Sequence, residues 1–463
     1  MRYPVSAVLF CLCGLCLSAG VVAAESAAGK SEDEQRMDTI HYGTETEIAA
    51  LIQTLKSERT TAVQSQSEHF LDDELIALSQ NTRNQQILSG VLSFFANRGK
   101  QGLEDRAIKA IEERDDEAQE TVLSAMDYLG KVKAVQAIKP LERLLDAREP
   151  QFMDAGFRAL GRIASGGTSQ DRDETAAYLL DFYTNRNPQD INQRELLIAL
   201  GETGSQTGVS LLAEIAGTNL ERGTLRIAAL DGLAKIGDSA GVNAILEALS
   251  STEPNVRSSA VAALGPFSGE EVDDAILESF RDSYYRTRIG AANAAGKRKL
   301  SAAIPFLRYR AERDEVLAVR EEAVKALGAM GNAEAQAVLE QLFAERKNPL
   351  QLRILAAEKL IAADPDAYTE KIIIEMDDAK KMNQTKLYNG FLGVLGAAKS
   401  GKLEDLARRF LSSGGIIEKS TALDMIAGNE LHGLETEVRA LTDDKNSGLA
   451  RRARNTLERL GLE

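Results

Sequence analysis

The chain has 463 residues and a formal net charge of −15 at pH 7, from 55 Lys and Arg against 70 Asp and Glu. This acidic balance argues against general nucleic-acid binding, which draws most of its affinity from neutralising phosphates. The sequence contains no Trp, only nine Pro and few aromatic residues, a composition typical of an all-helical protein. We therefore expect an all-α fold and no nucleic-acid partner.

The N-terminal segment has the pattern of a secretory signal peptide. Arg2 precedes a nearly uncharged run over residues 5–22, and Ala23 and Ala24 form a small-residue cleavage site. We predict that residues 1–24 are removed and that the mature protein is periplasmic or secreted, without stable membrane insertion. An uncleaved anchor is the disfavoured alternative, because the apolar run is short for a spanning helix.

All three cysteines lie inside this predicted signal peptide, so the mature chain would contain no disulfide. Lipid attachment is disfavoured because large residues, rather than small ones, precede the cysteines. An exported chain of this length stabilises itself by burying apolar surface. The cysteines are Cys11, Cys13 and Cys16.

A short motif of the type Ala-Leu-Gly recurs along the chain, and its central residue is called the marker here. The steps between markers are 31 to 35 residues, except for one step of 40 residues from Leu160 to Leu200. The extra residues of this long step, which include residues 166–171 and 185–188, are predicted to lie in loops on one edge. A period of this length indicates about twelve stacked helical hairpins. The markers are Phe95, Leu129, Leu160, Leu200, Leu233, Leu264, Ala295, Leu327, Leu360, Leu395, Ile426 and Leu460.

Other positions repeat with the marker. An Ala often stands four residues before it, one helical turn away on the same face, and the Gly that follows the marker is suited to ending a helix. A second apolar-periodic stretch, such as residues 242–249, precedes each marker helix, so each unit is predicted to contain two helices. Seven residues before the marker, five consecutive units have an arginine: Arg226, Arg257, Arg288, Arg320 and Arg353.

The stretch from Asn255 to Gly265 resembles the second helix of a HEAT repeat, in particular the short version found in bilin-lyase-type proteins. The resemblance covers roughly residues 70–463. It implies a right-handed α-solenoid in which the marker helices line the concave side, and repeats of this kind serve many partners. We assign residues 25–44 to a flexible leader, residues 45–69 to an N-terminal capping helix region and residues 70–463 to the repeat array.

The residues that perform catalysis or bind metals are scarce. The only histidines are His41, His69 and His432, and in a linear array the last is too distant to share a site with the others. The chain is similar to deoxyhypusine hydroxylase, an iron-binding HEAT-repeat enzyme, in fold only, because it has no His-Glu dipeptide. We therefore expect no enzymatic activity, no metal and no cofactor.

The five arginines at one register position are predicted to stack into a ladder, and two interpretations of it remain. Free guanidinium groups would bind carboxylates or phosphates through forked hydrogen bonds. Alternatively, each arginine bonds a carbonyl or an acid of the adjoining repeat and fixes the stacking angle. The second interpretation is favoured.

The segment Tyr284-Tyr285-Arg286 is the densest aromatic and basic cluster of the chain. Tyr and Arg together are favoured at protein interfaces, whereas the structural alternative has a turn tyrosine packing on the next repeat. We list the three residues with the five arginines as candidate binding residues.

The function that follows is an exported, non-enzymatic scaffold that binds another protein, itself exported, along the concave or edge surface of the solenoid, with residues near Gly166 and Asn187 as secondary contacts. A small-ligand or chromophore-handling module is the alternative, and it predicts a deep apolar pocket between helices. An enzyme is the third hypothesis, and it predicts a tight cluster of titratable groups.

Overall fold

The computed structural model describes residues 32–58, 68–186, 193–219 and 222–462, so the predicted signal peptide lies outside the described residues. Within these ranges the chain forms α-helices, short 3-10 turns and connecting segments, and no strand. It divides into two compact units, Met1–Phe94 and Phe95–Glu463.

The N-terminal unit contains three helices and most of a fourth. Its helices are α1 (Glu32–Tyr42), α2 (Glu45–Ser57), α3 (Glu68–Asn81) and most of α4 (Gln85–Arg98). Helix α2 starts at a reciprocal cap, in which the Thr44 hydroxyl accepts a hydrogen bond from the Glu47 amide and the Glu47 carboxylate accepts one from the Thr44 amide. The bond from the Thr44 backbone lowers the pKa of Glu47.

Part of the predicted flexible leader is helical, since residues 32–42 of the segment 25–44 form α1. Three acidic residues in its first turn interact favourably with the positive end of the helix dipole. Arg36 donates a hydrogen bond of 2.5 Å to Glu58, and Ile40 is buried. Contacts with residues distant in sequence therefore stabilise a helix that local composition does not predict.

The C-terminal unit is built of consecutive helix pairs, each with a leading helix followed by a marker helix. The pairs are α5 (Glu104–Glu112) and α6 (Gln119–Val132), α7 (Ile138–Asp146) and α8 (Pro150–Ala164), α9 (Ser169–Asn185) and α10 (Gln193–Glu202), α11 (Val209–Gly217) and α12 (Gly223–Ile236), α13 (Val242–Ala248) and α14 (Pro254–Ala263), α15 (Glu270–Ser279) and α16 (Tyr285–Arg298), α17 (Ile304–Arg313) and α18 (Leu317–Met330), α19 (Ala333–Ala344) and α20 (Leu350–Ala363), α21 (Pro365–Lys381) and α22 (Thr385–Ala397), α23 (Glu404–Ser413) and α24 (Ile416–Asn429), and α25 (Glu435–Arg439) and α26 (Ser447–Arg459).

Two layers follow from this pairing. Each leading helix packs on its own marker helix, and consecutive marker helices pack against one another from α6 to α26. The marker side chains are buried in the core, as are Ala229, Ala260, Ala291, Ala323 and Ala356, one turn earlier. With α3 and α4, the pairs make the expected number of about twelve, and the predicted α-solenoid of helical hairpins is confirmed.

The glycine after the marker follows the end of its helix, as predicted, at Gly265, but in other repeats it has a different role. Gly161, Gly201, Gly296 and Gly328 lie inside marker helices instead of ending them. A Cβ atom built on Gly201 would lie 2.3 Å from the Cα of Gly232, and one built on Gly296 would lie 2.9 Å from the Cα of Ala326. These glycines therefore let neighbouring marker helices approach closely.

The extra residues of the long repeat lie largely in a longer helix, and not only in loops as predicted. Leading helix α9 has 17 residues, compared with nine each in α7 and α11. It begins at a reciprocal cap between Thr168 and Asp171, and this cap converts part of the predicted insert into helix. Asn187 and Pro188, from the second predicted insert, lie outside the described residues.

Candidate binding surface

The five arginines of the ladder bind groups in the leading helices or in the turns that follow them. Arg226 is 2% exposed, and its guanidinium donates to the carbonyl of Ala216, to Asn219 and, in the following turn, to Ser251. One side chain thus binds the turn of its own repeat and the turn of the next. Burial of this cation is compensated because these neighbours satisfy its donors.

The next two arginines bind a carboxylate of the following repeat. Arg257 donates 2.7 and 3.0 Å hydrogen bonds to Asp282, and Arg288 makes the equivalent forked pair with Asp314. Burial acts to raise the pKa of both carboxyl groups, but the hydrogen bonds and charges of the arginines outweigh it and lower both pKa values below their ordinary range. These pairs join consecutive repeats electrostatically.

The last two arginines bind mainly backbone. Arg320 donates to the carbonyl of Ala311 at 2.8 Å, and Arg353 donates to the carbonyl of Phe343 and to Glu375 in α21. All five guanidinium groups therefore have partners within the chain. Four of them reach the adjoining repeat, as in the structural interpretation of the ladder, whereas Arg320 binds a carbonyl of its own repeat. Partner binding by the ladder stays a prediction.

A sequence signal for the ladder's acidic partners exists but was missed. Asp282 and Asp314 both stand 13 residues before a marker. Asp282 therefore lies six residues before Arg288, and Asp314 lies six residues before Arg320. The same position holds Ser251 in the preceding repeat and Lys347 in the following one. Because Lys347 cannot accept a hydrogen bond, Arg320 has no acid there and uses a backbone carbonyl instead.

The aromatic cluster lies where α16 begins. The Tyr284 hydroxyl donates to Asn255 of the preceding repeat at 2.9 Å, so this tyrosine does bridge repeats. The Tyr285 hydroxyl accepts from the exposed Arg286 at 3.2 Å, and the two tyrosine rings meet edge to face at 5.3 Å. Both tyrosines are half-buried, which leaves part of each ring accessible.

Exposed hydrophobic side chains continue from this cluster along the same edge. We define the turn edge as the surface formed by the turns between leading and marker helices from α15 to α24. Seven large hydrophobic side chains are exposed in the described part of the chain, and four of them are on the turn edge: Leu317 (40%), Met382 (50%), Ile416 (59%) and Ile417 (63%). Half-buried Leu350 belongs to the same row.

The row on the turn edge has a repeat register that sequence reasoning did not use. Tyr285, Leu317, Leu350 and Ile416 each stand ten residues before a marker, at the first position of a marker helix. At that position the side chain projects beside the turn and not into the core. The recurrence of large apolar residues there was the available signal.

Two cavities open on the turn edge, one on each side of the start of α22. The larger, of about 550 Å³, is lined by residues that include Arg346, Leu350 and Lys386. The smaller, of about 270 Å³, is lined by residues that include Tyr388 and Ile417. The larger cavity lies beside the step of 35 residues from Leu360 to Leu395, where α21 has 17 residues and its repeat is longer than its neighbours.

A third cavity, of about 500 Å³, lies between α20 and α22 in the marker layer. It is lined mainly by apolar groups, including Ile354, Ile361 and Val394. Its floor contains Gly390 and Gly393, and a Cβ atom built on Gly393 would meet nothing within 4 Å. The missing side chain at Gly393 therefore leaves space open, whereas Gly390 is packed closely against Ile354.

Over the marker helices of the first repeats, the charged side chains are paired with one another. Arg162 and Lys131 both lie near Asp127, at 3.6 and 2.9 Å, and Lys235 pairs with Glu202. The named cations in this part of the layer therefore all have acidic partners within the chain. Among the described residues no cluster of His, Cys, Asp or Glu has the arrangement of a metal site, and no described helix is long and apolar enough to span a membrane.

A protein-family model described as spirochaete HEAT repeat protein matches residues 40–456 of the chain. A search of curated proteins found no match.

Among solved structures, the chain is similar to a chain of the Kap95:Nup1 complex, with 13% sequence identity, a TM-score of 0.52, and coverage of 92% of this chain and 67% of that one. It is likewise similar to yeast importin-β (Kap95p), with 13% identity, a TM-score of 0.50, and coverage of 92% and 64%. Kap121p matches at 11% identity with a TM-score of 0.44, over 92% of this chain and 53% of that one. The chain thus spans about half to two thirds of these karyopherins, and the likeness shows the fold alone.

Proposed function

Because the chain belongs to the spirochaete HEAT repeat protein family, whose solenoid fold is typical of protein-binding scaffolds, we propose that it is a non-enzymatic scaffold that binds another protein at the turn edge. The family description indicates no catalytic activity.

One observation carries the proposal, namely the concentration of exposed hydrophobic side chains on this edge. Single exposed hydrophobic residues are ordinary, but a row of them in repeat register is typical of an interaction surface. Leu317 and Ile416 form the row together with half-buried Leu350 and Tyr285, and Met382, Ile417 and Tyr284 lie beside it on the same edge. Cavities beside Leu350 and Ile417 provide space for the side chains of a partner.

The arginine ladder supports this function indirectly. Arg257 and Arg288 bind backbone carbonyls of the turns, at Ser251, Asp282 and Ser283, as well as the acids of the next repeat. These bonds hold the row in one conformation before a partner arrives. A preorganised surface loses less conformational entropy on binding and so retains more of its interaction energy.

We also propose that the scaffold acts outside the cytoplasm, on the evidence of the signal-peptide pattern in residues 1–24. The expected mature chain begins at Glu25. Intact-mass measurement of the protein from its native cells tests this, and a mature chain that retains residues 1–24 would contradict it.

Site-specific photo-cross-linking tests the binding function. A benzophenone amino acid is placed at Leu317 or at Ile416 in the full-length protein, which is then expressed in its own cells and irradiated. We expect one discrete adduct with another exported protein from both positions, because the two residues lie on the same row.

The matched controls are Tyr309 and Ile374, which are 55% and 62% exposed but lie on leading helices away from the turn edge. The same adduct from all four positions would indicate non-specific contact, and no protein adduct from Leu317 or Ile416 would refute the proposal.

The cavity between α20 and α22 supports a second candidate function, the binding of a small apolar ligand or chromophore. Its volume of about 500 Å³ is in the range of small-molecule sites, and its lining is predominantly apolar. An apolar fluorescent probe should bind the wild-type protein and bind more weakly to Gly393→Leu, which places an apolar side chain in the space that the glycine leaves open. Unchanged probe binding in that variant would eliminate this site.

A further inference from the structure

The turn edge carries an excess of unpaired positive charge in a chain whose net charge is −15. Among the described residues of this edge, the exposed cations Arg286, Arg313, Lys347 and Lys386 have no carboxylate within salt-bridge distance. The acids of the ladder, by contrast, are bound by arginines.

Two further exposed acids, Glu315 and Glu345, lie on the same turns, and Glu315 is 3.7 Å from Arg288. The edge therefore keeps a small cationic excess beside its apolar row. Charges of this kind at the margin of an apolar surface select partners of opposite sign and accelerate their association.

The spacing of the row restricts the conformation of a partner segment. Packed helices lie about 8–10 Å apart, so Tyr285, Leu317 and Leu350, which belong to three consecutive repeats, are separated by roughly this distance. Ile416 lies two repeats beyond Leu350, and Thr385 occupies the position between them. A polyproline II segment advances about 9 Å in three residues and returns every third side chain to the same face. A β-strand does not match, because residues three apart point to opposite faces.

The aromatic end of the row is also suited to such a segment. Polyproline II segments dock in grooves lined by aromatic rings, and Tyr284 and Tyr285 present two rings at an interplanar angle of 64°. Towards α22, the cavity of about 550 Å³ beside Leu350 has room for a larger apolar side chain.

We propose that the partner binds through an acidic, extended segment that places an apolar side chain at every third residue on the turn edge. This inference rests on the proposed scaffold function and names the chemistry of the partner segment. The cations contact the acidic residues, while Tyr285, Leu317, Leu350 and Ile416 contact the apolar ones.

The test uses the full mature chain and a fluorescent peptide of five Glu-Pro-Leu repeats, with binding followed by anisotropy. Three control peptides are a Lys-Pro-Leu repeat, a peptide of the same composition with irregular leucine spacing, and an acidic helical peptide with leucine at every seventh residue. We expect the Glu-Pro-Leu peptide to bind at least about tenfold more tightly than each control, a difference of about 1.4 kcal/mol. Equal or tighter binding of any control overturns the proposal.

Variants of the protein locate the site. Leu317→Ser combined with Ile416→Ser should weaken peptide binding at least about tenfold, whereas Tyr309→Ser combined with Ile374→Ser should change it less than about twofold. Arg286→Glu combined with Lys347→Glu should weaken binding and reduce its salt dependence, because the ion pairs between these cations and the glutamates of the peptide, which salt screens, are lost. Arg451→Glu combined with Arg459→Glu, at two exposed positions in α26, is the charge-matched control. Equal losses in test and control variants would overturn the assignment.

The two proposals fail in distinguishable ways. Cross-linking of a protein at Leu317 without binding of the acidic peptide would refute the chemistry of the segment and leave the scaffold function standing. Peptide binding without any protein adduct would refute the scaffold function in the cell.

Discussion

Arg288 and Asp314 form a forked ion pair between consecutive repeats, with hydrogen bonds of 2.8 Å from Nε to Oδ2 and from Nη2 to Oδ1. The side chain of Arg288 is 5% exposed and that of Asp314 is fully buried. Asp314 also accepts from Arg310 and from the amide of Val316, so its charge is extensively compensated. This arrangement ties the start of α18 to the start of α16.

Arg288→Ala should lower the free energy of unfolding by about 3 kcal/mol, because it removes the main partner of a buried carboxylate. Arg320→Ala should cost only about 1 kcal/mol, because this half-buried side chain donates one bond to a backbone carbonyl. Urea unfolding followed by helical circular dichroism measures both values. Equal losses in the two variants would contradict the special importance of the forked pair.

Acid should weaken the same connection. The folded-state pKa of Asp314 lies below its unfolded value of about 3.9, so the pair contributes its full stability above that pH and loses it as the pH falls through the folded-state pKa. Asp314→Asn should therefore be less stable than the wild type at about pH 7, and the difference should shrink towards about pH 2. Urea unfolding across this range is the measurement, and a difference that is independent of pH would contradict the prediction.

Two glycines of marker helices should respond oppositely to alanine. Gly201→Ala should destabilise the protein by about 2 kcal/mol, because the added Cβ meets the backbone of Gly232 and forces two helices apart. Gly393→Ala should stabilise it by about 1 kcal/mol, because the new methyl group enters open space and alanine favours the helix. Thermal unfolding of the two variants compares the signs, and destabilisation by Gly393→Ala would show that the open space is required for folding.

The residue that ends α16 offers a stabilising substitution. Lys299 has φ of 53°, a left-handed conformation that costs a non-glycine residue roughly 1 kcal/mol, whereas Gly237 ends α12 in the same way with φ of 71°. Lys299→Gly should therefore raise the unfolding free energy by about 0.5–1 kcal/mol, and Gly237→Ala should lower it by a similar amount. Chemical unfolding of both variants tests the pair, and destabilisation by Lys299→Gly would indicate that the lysine side chain itself contributes to stability.

Much of the architecture could be predicted from the sequence because a repeat protein reports its period directly. The markers, the alanines one turn earlier and the two apolar stretches per unit specify helical hairpins, since each position has the same neighbours in every repeat. For the same reason, the ladder of arginines was predicted and its intramolecular bonding was the favoured interpretation. The helical segment at residues 32–42 was missed because its stability depends on contacts such as Arg36 with Glu58.

The sequence by itself determined the helical class, the number of units and the register of the arginine ladder, because these follow from local periodicity. Only the tertiary structure decided what the repeated positions do. It showed that Gly201 serves close helix packing, that Asp282 and Asp314 accept the forked hydrogen bonds of the ladder, and that Leu317 and Ile416 remain exposed. These outcomes depend on the distance and orientation between neighbouring repeats, which side-chain packing sets and which a one-dimensional pattern does not contain.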